Sequence, residues 1–253
     1  MNTIIEELIE YGLSHFKGER VEDVRVGLGY TAVKLDTAQA GVACMLRHRL
    51  DNAACCPMAN AGSIAGSPAD RVIPLLRSPN IAETSVGLAA LNALIQQDGY
   101  EEDSSNDDLV QLLDITSNDR VGMVGDITPI FNRIQKHAKE CIVFDEGKSD
   151  WEGIADTSLE KDMLPRCDVA LLSATTLLNN TFESVLSMVA GAREICVIGP
   201  SAPLLPDVFK KRGVTLLSGR RFLDADRLLR IVSEAGGTKC FGPISLKVNI
   251  RLK

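Results

Sequence analysis

The chain has 253 residues, 45% of them apolar and 24% charged, the composition of an ordinary soluble globular protein long enough for two modest cores. A net charge of −7 argues against a nucleic-acid partner, because phosphates favour a basic surface. No run approaches the roughly 20 apolar residues of a membrane span, so no membrane partner is expected. The opening Met1-Asn2-Thr3-Ile4-Ile5-Glu6-Glu7 is acidic where a secretory leader carries a basic flank, and a cytoplasmic location follows as the expectation. Seven cysteines with no CxxC pair fit reduced thiols better than a disulfide framework, and Cys141 and Cys196 read as small buried hydrophobes.

In chain order, Ile5, Leu8, Ile9, Leu13 and Phe16 recur at helical spacing, which predicts an amphipathic helix over 2–17. From Val21 the period changes to two. Val24, Val26 and Leu28 alternate with polar or small residues, and Ala32, Val33 and Leu35 follow a hairpin turn at Gly29-Tyr30. A third strand is expected over Gly41–Leu46. Residues 50–66, rich in Ala, Gly, Asn and Cys, read as loop. Pro68-Ala69-Asp70 opens a short helix that Pro74 interrupts or ends, and a further helix starts near Glu83 and carries Val86–Ile95. The stretch 98–108 holds six carboxylates and no large aliphatic side chain, which predicts a solvated linker whose end caps a helix starting at Leu109. It divides the chain into an α+β domain, 1–100, and a second domain, 106–253.

The second domain alternates strand and helix. Strands are expected at 120–124, 140–144, 168–173, 194–199 and 213–218, with a closing strand or hairpin in 239–250. Helices are expected near 127–138, 180–190, 204–212 and 223–235. Near-continuous apolar runs such as Val169-Ala170-Leu171-Leu172 predict a parallel sheet covered on both faces. The fold class is therefore α/β: a small α+β domain followed by a Rossmann-like, doubly wound parallel sheet whose crevice lies at the carboxyl strand ends.

Those ends supply the candidate ligand-binding residues: Gly125 and Asp126, Asp145, then Thr175, Thr176, Asn179, Asn180 and Thr181, and finally Gly199, Pro200 and Ser201. Each has a plainer reading. Asp126 before Ile127-Thr128-Pro129 is an ordinary helix cap, Asn179-Asn180-Thr181 are ordinary turn residues, and Gly199-Pro200-Ser201 an ordinary turn. NAD is disfavoured. The three-glycine fingerprint is missing, and Asp126 puts a negative charge where a pyrophosphate would sit. Asp145 suits a ribose hydroxyl or a plain loop equally well. Asn92 is unusual because it is an amide within Leu88-Ala89-Ala90-Leu91-Asn92-Ala93-Leu94. Local sequence leaves open whether it bonds inside its own domain or across the interface.

Metal motifs are weak. His15, His48 and His137 lie far apart, with neither HxH nor HExxH. Cys55-Cys56 with Met58 offers soft ligands, but adjacent cysteines rarely converge on one ion, and small buried thiols are the better reading. No GxSxG, Walker A loop or nucleophilic triad can be assembled, so catalytic residues are unknown from sequence.

Gly87-Leu88-Ala89-Ala90-Leu91-Asn92-Ala93 resembles the "GlAalNA" helix of the DUF364 family of heavy-metal-chelation proteins. Val121–Asp126, Thr175–Thr181 and Gly199–Pro206 resemble other segments of that family, with Asn180 standing where a glycine is expected. The resemblance implies an enolase N-terminal-like first domain, a Rossmann-like second one, and a site in the cleft between them. It also tips Asn92 towards the loops 125–126, 175–181 and 199–201, where Asn92→Ala would weaken ligand binding at little cost in stability. Three functional readings follow. The first is a protein that binds or processes a heavy metal or metal chelate, with Asp126 and Asp145 as oxygen ligands. The second is a Rossmann-like enzyme using a nucleoside-containing cofactor such as S-adenosylmethionine or a nucleotide. The third is a non-catalytic small-molecule-binding module. Oligomeric state is left open, a homo-oligomer included.

Overall fold

The computed structural model describes residues 2–50, 56–96 and 109–252, so the acidic stretch expected as a linker, and Cys55, lie outside the described residues. The helix Ile4–His15 is capped by Thr3, whose side chain accepts from the Glu6 N–H, and it buries Ile5, Leu8 and Ile9. Leu13, expected on the same face, is 42% exposed.

Three strands, β1 (Val21–Val26), β2 (Tyr30–Leu35) and β3 (Ala40–Cys44), form an antiparallel meander. Consecutive residues Ala32 and Val33 are both fully buried, which requires cover on each face of this sheet. Val33, Leu35 and Ala43 belong to the core shared with the long helix Ile81–Ile95. Ala32, Ala40 and Val42 pack instead with Leu228 and Val232 of the helix Ala225–Ser233 and with Phe222 and Phe241 on either side of it, all from the far end of the chain. The alternation expected along β1 is not kept: Val24 is half-buried, Val26 is 48% exposed, and Leu28, beyond the strand, is 62% exposed, because β1 is an edge strand whose register shifts between Val21 and Asp23.

The helix Ile81–Ile95 starts two residues before the expected Glu83 and is capped by Asn80, whose side chain accepts from the N–H groups of Ala82 and Glu83. Apart from Glu83 its residues are buried, so it is the central helix of the molecule. It lies directly on β3: a Cβ at Gly41 would stand 2.2 Å from Ala93 N and 2.4 Å from Ala89 O. Only glycine admits so close an approach.

The second sheet contains β4 (Arg120–Val124), β5 (Glu140–Phe144), β6 (Val169–Ser173), β7 (Glu194–Ile198), β8 (Leu216–Phe222) and β9 (Ser245–Arg251), in the spatial order β5-β4-β6-β7-β8-β9. All pairings are parallel except β8 with β9. Val169 and Ala170, like Leu171 and Leu172, are neighbours in sequence and fully buried, as expected of a sheet covered on both sides. The strand order reverses between β4 and β6, the position where doubly wound sheets open a crevice. The strand expected at 213–218 is displaced: it runs Leu216–Phe222, because Gly213 takes a left-handed turn and β8 continues along β9. The helices expected near 127–138 and 204–212 are shorter, Thr128–Ile134 and Pro206–Lys210.

One apolar core runs through both sheets, joining Leu88, Ala89 and Leu91 to Leu172, Leu177 and Phe182. Polar contacts reinforce the join. The Ile4 N–H donates to Glu183 Oε1 at 2.7 Å, and Arg212 Nη1 lies 2.9 Å from Glu7 Oε2. No helix among the described residues is long and apolar enough to cross a membrane.

Candidate functional site

A cleft of about 1510 Å³ opens at the carboxyl ends of the parallel strands, with β3 and the turn after it closing its other wall. At the end of β4, Gly125 takes the left-handed conformation (φ 86°), and a Cβ there would meet the Ser173 Cβ at 2.5 Å. Glycine therefore lets the ends of β4 and β6 close together at the point of strand reversal.

The two expected carboxylate ligands are already engaged. Asp145 accepts from the Asp126 N–H (2.8 Å) through one oxygen and from the Gly147 N–H (2.9 Å) through the other, tying the ends of β4 and β5. Asp126 does not cap the helix Thr128–Ile134, whose N-cap is Ile127. Its Oδ2 instead takes the Thr128 hydroxyl (2.8 Å) and Lys148 Nζ (2.7 Å), with the side chain only 8% exposed. Among the described residues, no group of three or more His, Cys, Asp or Glu is placed to hold a metal ion.

Beyond β6, Thr175 and Thr176 donate their hydroxyls to Ser173 Oγ and Ser173 O, and Asn179 Oδ1 accepts from the Thr181 hydroxyl at 2.7 Å. These residues border the cleft. Asn180 does not: it is exposed, with φ 58°, and serves as the left-handed turn residue in the place where glycine was expected. After β7, Gly199, Pro200 and Ser201 all border the cleft, and Ser201 is in addition buried and clamped. Ser201 Oγ accepts from the Cys44 N–H at 2.8 Å, and its carbonyl accepts from Asn92 Nδ2 at 3.0 Å. Asn92 Nδ2 also donates to Val42 O at 2.9 Å. The amide thus bonds both inside its own unit and across to the second, resolving the choice left open by local sequence. It sits behind the cleft wall, 4% exposed, with its Oδ1 unpartnered.

Several cleft groups had no place among the strand-end candidates. Lys148 follows β5 beyond the expected strand-end pair Asp145 and Glu146, while Tyr30 and Cys44 come from the first sheet and Arg47 and His48 from the turn after β3, whose docking no local pattern announces. Glu146 is reached by Arg49 (2.7 Å), by His48 Nε2 (3.9 Å) and by Asn179 Nδ2 (3.4 Å), linking both units across the rim. Burial works to raise its pKa, but the Arg49 guanidinium outweighs this and holds the carboxyl below its ordinary value. Burial, with Asp145 adding to it, pushes the Cys44 thiol up to about 11, so it faces the cleft as a neutral thiol. Cys56 is exposed rather than buried, its thiol donating to Met58 O. Cys196 is fully buried as read from its strand, and Cys141 partly so.

A family model for DUF364, described as "putative heavy-metal chelation", matches residues 108–251, and one for DUF4213 with the same description matches residues 5–95. An uncharacterised protein of Methanocaldococcus jannaschii is 28% identical over 186 residues, 73% of this chain and 72% of that protein. A crystal structure of a DUF364-family protein of unknown function from Pyrococcus horikoshii aligns with a TM-score of 0.86 at 24% identity, covering 98% of this chain and all of that one. Another, from Desulfitobacterium hafniense DCB-2, aligns with a TM-score of 0.79 at 22% identity, with 98% of each chain covered. At these identities the two structures speak for the fold.

Proposed function

The chain belongs to the DUF364 family, and on that premise we propose that its cleft binds a heavy metal already wrapped in a small organic chelator rather than a bare ion. The observation that carries this reading is the mismatch between the cleft and an ion. The space of about 1510 Å³ is ample for a small organic ligand, whereas a bare cation needs only a tight shell of donors. Asp126 and Asp145 are held by Lys148 and by backbone N–H groups, so a bare ion would have to displace a cation from the first and compete with two amides for the second. A chelate brings its own metal ligands. It asks of the protein only volume, hydroxyls, amides and close backbone approach, which Gly125, Thr175, Asn179, Thr181 and Gly199 offer.

Calorimetric titration of the full chain with free Ni²⁺, Co²⁺ and Zn²⁺, and with their preformed citrate and nitrilotriacetate complexes, tests the proposal. At least one chelate should bind more tightly than about millimolar and at least about tenfold more tightly than its free metal, a difference near 1.4 kcal/mol. Free ions binding as tightly as every chelate, or no binding at all, would overturn it.

A second reading, a nucleoside-containing ligand, is favoured by the glycine turn at the point of strand reversal. Against it, neither oxygen of Asp145 is free of a backbone bond to receive a ribose hydroxyl unshared. Melting curves with S-adenosylmethionine and ATP separate the two readings, since a ligand bound only by the folded chain raises its stability.

A further inference from the structure

β7 pairs with β8 only from Cys196–Leu216 to Ile198–Ser218, whereas β8 and β9 stay paired out to Phe222–Ser245. Residues 219–222 and 245–248 therefore run on past the end of β7 as a two-stranded arm that reaches β3 and walls one end of the cleft. On this arm Arg220 stands directly opposite Lys247. Residues directly opposite in an antiparallel pair project from the same face about 5 Å apart, and like charges there repel. Both border the cleft, as does Lys239 from the neighbouring turn of helix Thr238–Phe241.

Of the other cations in and around the cleft, Lys148 has Asp126 and Arg49 has Glu146, whereas Arg47, on the wall that follows β3, is in no ion pair among the described residues. Among the described residues no ion pair involves Arg220, Lys239 or Lys247. Arg220 is half-buried, and its side chain donates from Nη1 to Ser245 Oγ at 2.8 Å, a neutral oxygen. A guanidinium has five N–H donors, so most of them are left for another partner. Burial depresses the Arg220 pKa, the mark of a cation drawn out of water without a compensating charge. The carboxylates of the cleft, Asp126, Asp145, Glu146 and Glu160, belong to the other end, at and beyond β4 and β5. Three inter-strand spacings separate β4 from β8, roughly 14 Å. The cleft is therefore polarised along the sheet, and its basic end lacks an anion.

We infer that Arg220 and Lys247, with Lys239 beside them, form an oxyanion subsite that binds a carboxylate of the organic chelator. The inference rests on the chelate reading of the same cleft. It adds that the ligand is anionic and that its charged group points to the β8–β9 arm.

The probes are cobalt(III)–EDTA, an inert anionic chelate; hexaamminecobalt(III), an inert cationic complex; tricarballylate; and inorganic phosphate. Each is titrated into the full chain and into its R220Q, K247Q and K247E variants. Cobalt(III)–EDTA affinity should fall about tenfold or more in R220Q and K247Q, as expected for losing a hydrogen bond to a charged group. It should fall furthest in K247E, while hexaamminecobalt(III) is unaffected or gains. K247E should also melt at a higher temperature than the parent, because Arg220 then has an opposite charge across the strand pair. Lys247 is exposed, so its variants keep the test alive if R220Q does not fold.

Unchanged cobalt(III)–EDTA affinity in K247E would overturn the subsite while leaving the chelate reading standing. Failure of every anionic probe to bind the parent chain would overturn it too. Tricarballylate binding as tightly as any chelate, and lost in K247E, would uphold the subsite and sink the chelate reading. Phosphate binding more tightly than tricarballylate would overturn the carboxylate assignment.

Discussion

Replacing Asn92 by alanine gives the sharpest test of how the cleft is held together. The carboxamide donates to Val42 O at 2.9 Å in the first sheet and to Ser201 O at 3.0 Å in the loop after β7, from a position only 4% exposed. Truncation removes both bonds, each contributing about 1 kcal/mol net, and leaves two buried carbonyls short of a donor. It also removes Oδ1, a buried acceptor with no partner, and that relief offsets about 1 kcal/mol. The small void left by the lost atoms acts in the destabilising direction. The balance is a loss of about 2 kcal/mol, or a fall in melting temperature of about 4–8 °C for a chain of this length. Urea unfolding followed by circular dichroism measures it directly. The expectation from family likeness was the opposite, weakened binding at little cost in stability. A measured loss below about 0.5 kcal/mol would show that the bridge seen here contributes little and would restore that expectation.

Glu7 is held at a pKa of about 2, chiefly by its bond to Arg212, with burial opposing and Lys211 assisting. Its folded value lies below the ordinary 4.5, so its contribution is complete above pH 4.5 and is lost as pH falls through about 2. Solvent reaches this pair, so Glu7→Gln should cost only about 1 kcal/mol at pH 7 and flatten the acid limb of the stability profile; an unchanged limb would remove Glu7 from it. Gly125→Ala must force a side chain into a left-handed residue and against Ser173, so about 2–3 kcal/mol of stability and most of the chelate affinity should be lost. A fully stable variant with parental affinity would show that the β4 and β6 ends need not close so tightly. Lys148→Gln frees the Asp126 carboxylate and should let free Ni²⁺ or Co²⁺ bind more tightly than in the parent. If calorimetry finds no gain, Asp126 is not within reach of a cation.

The family assignment bears on the fold and on the general association with heavy-metal chelation; the polarity of the cleft adds a direction to that association. Asp126, Asp145 and Glu146 at one end and Arg220 and Lys247 at the other make ligand charge, rather than metal identity, the first variable to vary in a binding screen.

Local sequence determined the parts of this protein that depend on periodicity. The apolar runs at Val121, Cys141, Val169 and Glu194–Ile198 became strands at the expected places, because a strand buried on both faces leaves no alternative to a continuous apolar segment. The glycine and hydroxyl residues after them became the cleft floor for the same reason: a parallel sheet delivers its strand ends to one edge. Asn180 took the left-handed turn that its place demanded. What each polar group does once there was decided only by tertiary contact. Asp126 reads as a helix cap until Lys148, twenty-two positions away, claims its carboxylate. Arg220 lies beyond the expected strand because the apolar run of β8 stops before the strand does; pairing with β9 carries the backbone four residues further. Cys44, Arg47 and His48 enter the site because helix Ile81–Ile95 and helix Ala225–Ser233 bury opposite faces of one small sheet and press its open end against the second. Strand periodicity is a property of neighbours along the chain, but charge pairing and wall closure belong to neighbours in space, and no local pattern encodes those.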